Sequence, residues 1–120
     1  MAHTDPRAQL PLTAVVLHIL LALADGERHG YAIAKEIDTA TDGAIPTGPG
    51  TLYGSIQRML DAGLITEAPR RSRPDDDDAR RRYYRMTALG KRTLAVEVER
   101  LAQVVDIARS KRVLRGTGAA

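Results

Sequence analysis

Thr51, Ser55 and Arg58 fall three and four residues apart, with Gly54 beside them and Tyr53 and Gln57 flanking. On a helix that spacing gathers short hydroxyls and one guanidinium onto one face. Such hydroxyls fit a nucleic-acid groove, and the arginine reaches a guanine edge or a phosphate. No acidic residue interrupts the face before Asp61. A glycine inside a helix costs roughly 1 kcal/mol against alanine, and close approach of another backbone is one reason to keep Gly54. Thr47, Gly48 and Gly50 lead into this face, and free amides at Gly50 and Thr51 suit a phosphate. The same pattern also describes an ordinary amphipathic helix with a polar outer side.

A second cationic group follows. Arg70, Arg71 and Arg73 stand on one side of Asp75-Asp76-Asp77-Asp78, and Arg80, Arg81 and Arg82 on the other. A loop so built could straddle a phosphate backbone. Its four carboxylates would be repelled by phosphate, so the arginines at the base are the expected contacts. The alternative for the tip is a solvated, charge-mixed loop. The acidic run lacks the turn glycine and the bidentate Glu of a calcium loop. His3, His18 and His29 have no partner at ligand spacing and read as structural or exposed. Gly48-Pro49-Gly50-Thr51 lacks the Lys and the preceding strand of a phosphate-binding loop. No nucleophile–base set appears. The expectation is therefore no metal, no cofactor and no enzymatic activity.

The elements that must position these residues follow from periodicity. Leu12, Val15, Val16, Ile19, Leu20 and Leu23 mark a first helix over 12–24. Leu17 and Leu21 make it apolar on a second side, as expected of a helix buried from two directions, one of them a second subunit. Ile33, Ala34 and Ile37 mark a second helix over 29–40, and Ala44-Ile45 a very short strand. In the third helix Leu52, Ile56, Met59 and Leu60 form the buried stripe. Gly48 or Thr47 is its N-cap, Pro49 its first residue, and Gly63 its left-handed stop. Residues 64–68 and 82–86 read as strands, with Tyr84 and Met86 on one face. Thr87 caps a last helix over 88–113. There Leu94, Val98, Leu101, Val105 and Ala108 are spaced 4, 3, 4, 3, a coiled-coil type seam widened by Val104 and Ile107. The expected fold is mainly α, a winged helix-turn-helix with a two-stranded β-wing and a long C-terminal dimerisation helix. The divisions are a flexible arm over 1–10, the winged-helix domain over 11–87, the dimerisation helix over 88–114 and a disordered tail over 115–120.

Composition bounds the rest. With 120 residues, 43% of them hydrophobic, the chain forms one small domain that gains from association. It has no Cys, so no disulfide frame or thiolate metal site. The run from Val15 to Ala24 is too short to span a bilayer, and the first eleven residues do not read as a signal peptide. A cytoplasmic protein without a membrane partner is expected. Residues 70–85 carry seven Arg against four Asp, a surplus equal to the whole net charge of +3. The basic excess is thus confined to one segment, as for a polyanionic partner.

Three stretches carry a resemblance. His29-Gly30-Tyr31 opens the second helix. Gly50-Thr51-Leu52-Tyr53-Gly54-Ser55-Ile56 leads to Met59-Leu60 and Gly63-Leu64-Ile65. Arg82-Tyr83-Tyr84-Arg85-Met86-Thr87-Ala88-Leu89-Gly90 closes the hairpin and starts the last helix. In this order and spacing, across residues 12–105, the sequence resembles the PadR family of bacterial transcription regulators. The resemblance implies a homodimer that represses a nearby promoter by binding double-stranded DNA at an operator with two half-sites. It implies Thr51, Tyr53 and Arg58 as groove and backbone contacts, with Tyr31 and Lys35 touching phosphates. Each tyrosine could equally fill a gap with its ring while its hydroxyl stays wet. A single C-terminal helix matches the short branch of the family. Some of its members resemble drug sensors that hold flat aromatic compounds between subunits, so release by a small-molecule effector is a further expectation. The last helix has no aromatic side chain, which departs from that pattern. The alternative function is a winged-helix protein–protein interaction module without direct DNA binding.

Overall fold

The computed structural model describes residues 5–69 and 81–114. Its elements are α1 (Ala14–Leu23), β1 (Arg28–His29), α2 (Gly30–Thr41), α3 (Pro49–Asp61), β2 (Ile65–Glu67), β3 (Tyr83–Met86) and α4 (Ala88–Ser110). Their order is that of a winged helix: three helices, a hairpin, then a long helix. The sheet has three antiparallel strands in the order β1-β3-β2, not the two expected. Strand β1 pairs Arg28 with Tyr84 and His29 with Tyr83. Two residues are too few to show alternation, so periodicity could not reveal it. The Ala44-Ile45 strand does not form.

Local chemistry sets the helix ends. The Thr13 hydroxyl accepts the Val16 amide at 3.2 Å and starts α1. Pro49 occupies the first turn of α3 behind Gly48, and Gly63, at φ +77°, turns the chain beyond it. Thr87 does two jobs. Its hydroxyl accepts the Gly90 amide at 3.0 Å and donates to the Gly63 carbonyl, while its own amide bonds the Leu64 carbonyl at 3.1 Å. The start of α4 is thereby fastened to the turn that ends α3. The approach is close enough that a Cβ at Gly90 would collide with the Leu64 carbonyl.

The core is aliphatic. Ile19, Leu20 and Leu23 of α1 meet Ile33 and Ile37 of α2, Leu52, Ile56 and Met59 of α3, and Leu64, Ile65, Tyr84 and Leu94. Burying each such side chain contributes about 1.5–3 kcal/mol. Helix α1 sits at the centre, packed on α2, α3, β3 and α4. Its remaining apolar side is uncovered at Leu21.

The first turns of α4 belong to this head. Leu94 lies in the core, so it is not a free residue of the seam; the open apolar residues begin at Val98. The reason is geometric, since α4 leaves β3 directly and lies against α1 before it projects. Glu97, 1% exposed, ties α4 to the segment that leads into α1. One carboxylate oxygen accepts the Leu12 amide at 2.9 Å, and Arg100 donates to both oxygens at 2.6 and 3.1 Å. Hydrogen bonding from Arg100 holds the Glu97 carboxyl below the usual carboxylate range against the desolvation that would raise it. Helix α4 stops at Ser110, short of the expected residue 113, and Arg112 turns at φ +60°. Among the described residues no helix is long and apolar enough to cross a membrane.

Candidate nucleic-acid interface

Helix α3 buries Leu52, Ser55, Ile56 and Met59. The stripe is thus rotated from the expected one: Ser55 takes a core position and Leu60 is only half-buried. Ser55, 1% exposed, is not on the outer face and cannot reach a groove. Positions 52, 55, 56 and 59 are the i, i+3, i+4, i+7 row of one helix side, and a small hydroxyl fits there because it has a partner. The Arg58 guanidinium donates to the Ser55 Oγ at 3.1 Å.

Thr51, Tyr53, Gln57 and Arg58 are exposed, and so are Gly48 and Gly50. Thr47 is half-buried. A Cβ at Gly48 or Gly50 would meet nothing within 4 Å, and at Gly54 only the Arg58 guanidinium at 3.6 Å. Among the described residues nothing else crowds Gly54. The strip from Gly48 through Gly54 is open to an approaching backbone.

Tyr53 leans the other way, toward α2. Its hydroxyl lies over Gly30, where a Cβ would overlap it. Packing and exposure thus coexist at Tyr53, with the ring seated on Gly30 and half of its surface open. Tyr31 and Lys35 are exposed on α2, Tyr31 at 65%. The His29 side chain caps α2 by accepting the Ala32 amide at 3.1 Å. Its ring stacks on Tyr31 at 6.3 Å and meets Tyr83 edge-on at 5.3 Å.

At the wing base Arg81 and Arg82 are exposed. Arg82 lies 3.9 Å from Glu67, a loose surface pair worth little. Arg81 approaches His29 at 3.3 Å. Burial pushes the Tyr84 hydroxyl pKa above its ordinary value, with Arg82 opposing and Glu67 adding. Together His29, Gly30, Tyr31, Tyr53, Arg81, Arg82 and Tyr84 line one cleft of about 370 Å³ between α2, α3 and β3. The structure therefore brings Tyr31, Tyr53, Arg81 and Arg82 together, with Thr51 and Arg58 on the same recognition helix as Tyr53. Arg70, Arg71, Arg73, Arg80 and the Asp75–Asp78 run lie outside the described residues. His29, expected to be structural or exposed, is structural: it caps α2. The clue available was its place as the residue just before Gly30-Tyr31, where a side-chain cap belongs.

The model of the Transcriptional regulator PadR-like family matches residues 19–96, from the core of α1 to the head-packed part of α4. The chain belongs to the PadR-like family of transcriptional regulators. It is 35% identical over 95 residues to Transcriptional regulator Rv3488 of Mycobacterium tuberculosis, covering 77% of this chain and 82% of that protein. It is also 35% identical over 86 residues to an uncharacterized 37.1 kDa protein in transposon TN4556 of Streptomyces fradiae. That match covers 72% of this chain and only 22% of the longer relative. A transcriptional regulator from Clostridium thermocellum superposes with TM-score 0.65 at 27% identity, covering 80% of this chain and 87% of its own. A PadR family transcription regulator from Clostridium difficile R20291 superposes with TM-score 0.67 at 23% identity, covering 82% and 97%. The PadR-like chain is thus a DNA-binding transcriptional regulator with a winged-helix head.

Proposed function

We propose that this PadR-like chain is a homodimeric repressor, without catalytic activity, that holds two half-sites of an operator close to its own gene in the cytoplasm. The open strip of α3, from Gly48 through Gly54 to Arg58, carries the reading. It presents Thr51, Tyr53 and Arg58 to a major groove, and Gly54 lets the groove wall come close. Tyr31 and Lys35 on α2 and Arg81 and Arg82 at the wing base take the flanking phosphates. The dimer is supported by the apolar residues that the head leaves open on α4. Val98, Val104, Val105 and Ile107 are exposed and Leu101 and Ala108 half-buried, with Leu21 of α1 also uncovered. Two copies joined there would present two recognition helices to half-sites about one helical turn, roughly 34–36 Å, apart.

A mobility shift on the DNA upstream of the chain's own gene tests this. Binding should weaken steeply with salt, with a slope near −0.9 for each phosphate neutralised. No shift at any salt concentration, with a protein partner captured instead, would favour the interaction-module reading.

A further inference from the structure

Helix α3 is rolled so that Leu52, Ser55, Ile56 and Met59 face the core. The opposite side is then the row Gly50, Gly54, Gln57 and Asp61, at spacings of four, three and four. Gly50, Gln57 and Asp61 are exposed and Gly54 is half-buried. Thr51 and Arg58 lie on one flank of this row. Tyr53 lies on the other, where it leans on Gly30. The two glycines carry no side chain, so the first group to reach outward along the midline is the Gln57 amide. A stripe completed by Leu60 instead of Ser55 would leave Gln57 on the flank, so it is the observed roll that brings it to the centre.

Asp61 decides which way that amide faces. The Gln57 Nε2 donates to the Asp61 Oδ1 at 3.1 Å. A carboxylate only accepts, so the nitrogen must be the atom turned toward it. One N–H is thereby engaged, and the second N–H and Oε1 remain to form a donor–acceptor pair. In the major groove, adenine is the base that matches such a pair, with N6–H donating to Oε1 and N7 accepting from the N–H. Guanine presents two acceptors, N7 and O6, and O6 would face Oε1. Cytosine offers a donor and thymine an acceptor, so each satisfies one half of the pair. The place of Asp61 also needs a reason, because an acid in the last turn of a helix opposes the macrodipole.

We propose that Gln57 reads one adenine in each half-site, and that Asp61 is the positioning residue that fixes its amide for that base. The inference rests on the DNA-binding reading and adds to it a specificity-determining residue and the base it selects. Gly50 and Gly54 let the helix settle deep enough for the midline amide to reach the base edge. Thr51 and Arg58 on one flank and Tyr53 on the other then meet the groove on either side of it.

Relative affinities across every single-base variant of the upstream duplex test this. The wild type should prefer adenine at one position of each half-site by roughly tenfold or more. Gln57→Ala should keep the fold, since the side chain is exposed and alanine favours the helix. It should bind the upstream duplex roughly tenfold more weakly and accept all four bases alike at that position. Replacing that adenine by 7-deazaadenine, which lacks the N7 acceptor, should weaken the wild type and leave Gln57→Ala unchanged. Asp61→Asn can donate as well as accept, so it frees the amide to turn. Its preference for adenine over guanine should shrink, while its affinity for every duplex rises slightly because a carboxylate beside phosphates is gone. A purely structural Asp61 would leave that ratio unmoved, and an unmoved ratio overturns its positioning role. A base profile that Gln57→Ala shares with the wild type, or a preference for guanine at the affected position, overturns the adenine reading and leaves DNA binding intact. A wild-type protein that shifts no duplex overturns both.

Discussion

Arg58 shows how one side chain can serve fold and function at different costs. It is exposed, and its only described partner on α3 is the Ser55 hydroxyl. A serine hydroxyl inside a helix has a nearby carbonyl to use instead. Arg58→Ala should therefore cost less than about 1 kcal/mol of stability. If the guanidinium reads a base, operator affinity should fall by about 1–3 kcal/mol, with relaxed preference at one base position. Equal affinity for the wild-type promoter fragment, measured by fluorescence anisotropy, would remove Arg58 from the interface. Most of the exposed face of α3 was legible at this scale because polar residues at helical spacing stand out. Ser55 was not. Whether position 55 or 60 completes a stripe depends on how α3 is rolled against α1, and composition alone favours the leucine. His29 was hidden for another reason. Its neighbour Arg81 is fifty-two positions away in the chain, and strand β1 brings the two together.

Among the elements, α4 has two halves with different duties. Its first turns are locked to the head by Thr87, Gly90, Leu94 and Glu97, and its later turns carry the open apolar row. Gly90→Ala should force the Leu64 carbonyl aside, an overpacking that costs about 1–3 kcal/mol. Thermal melting should show it as a clear fall in Tm, and an unchanged Tm would mean that the contact relaxes freely. Glu97 adds a pH signature. Its bonds lower the carboxyl pKa in the folded state. Their stabilisation is therefore complete above the ordinary glutamate value, about 4.3, and is lost as pH falls from there through the folded value. Glu97→Gln should lower stability at pH 7 by roughly 1–3 kcal/mol and flatten this acid limb. Chemical denaturation at a series of pH values would check both. The helices were legible because their apolar rows, caps and stop residues agree. The division of α4 was not, because a 4, 3, 4, 3 row looks alike whether its first member faces a partner or its own core.

For the whole molecule, the corrected seam predicts where association can be broken. Leu101 and Val105 lie beyond the head, at the half-buried and exposed levels. Replacing both with Asp should leave the head folded while putting charges into the interface of the proposed dimer. Light scattering should then report a monomer, and operator affinity should collapse because each head would hold its half-site alone. A dimer that persists would move the interface to the Leu21 side of α1. Leu94→Asp would be the wrong test, since it would unfold the head.

The knot of Thr87, Gly90 and Leu64 has a mechanical consequence. It leaves no slack between the last residue of the reading helix and the first turn of the long one. Helix α4 runs for 23 residues, a rod of about 35 Å at 1.5 Å per residue. Welded at one end and, in the proposed dimer, paired at the other, such a rod is a lever arm. A tilt of about 5° where two rods cross would move each head by roughly 3 Å over that length. The crossing angle of the rods, rather than any hinge in the head, would then set whether two recognition helices span one turn of DNA or miss it.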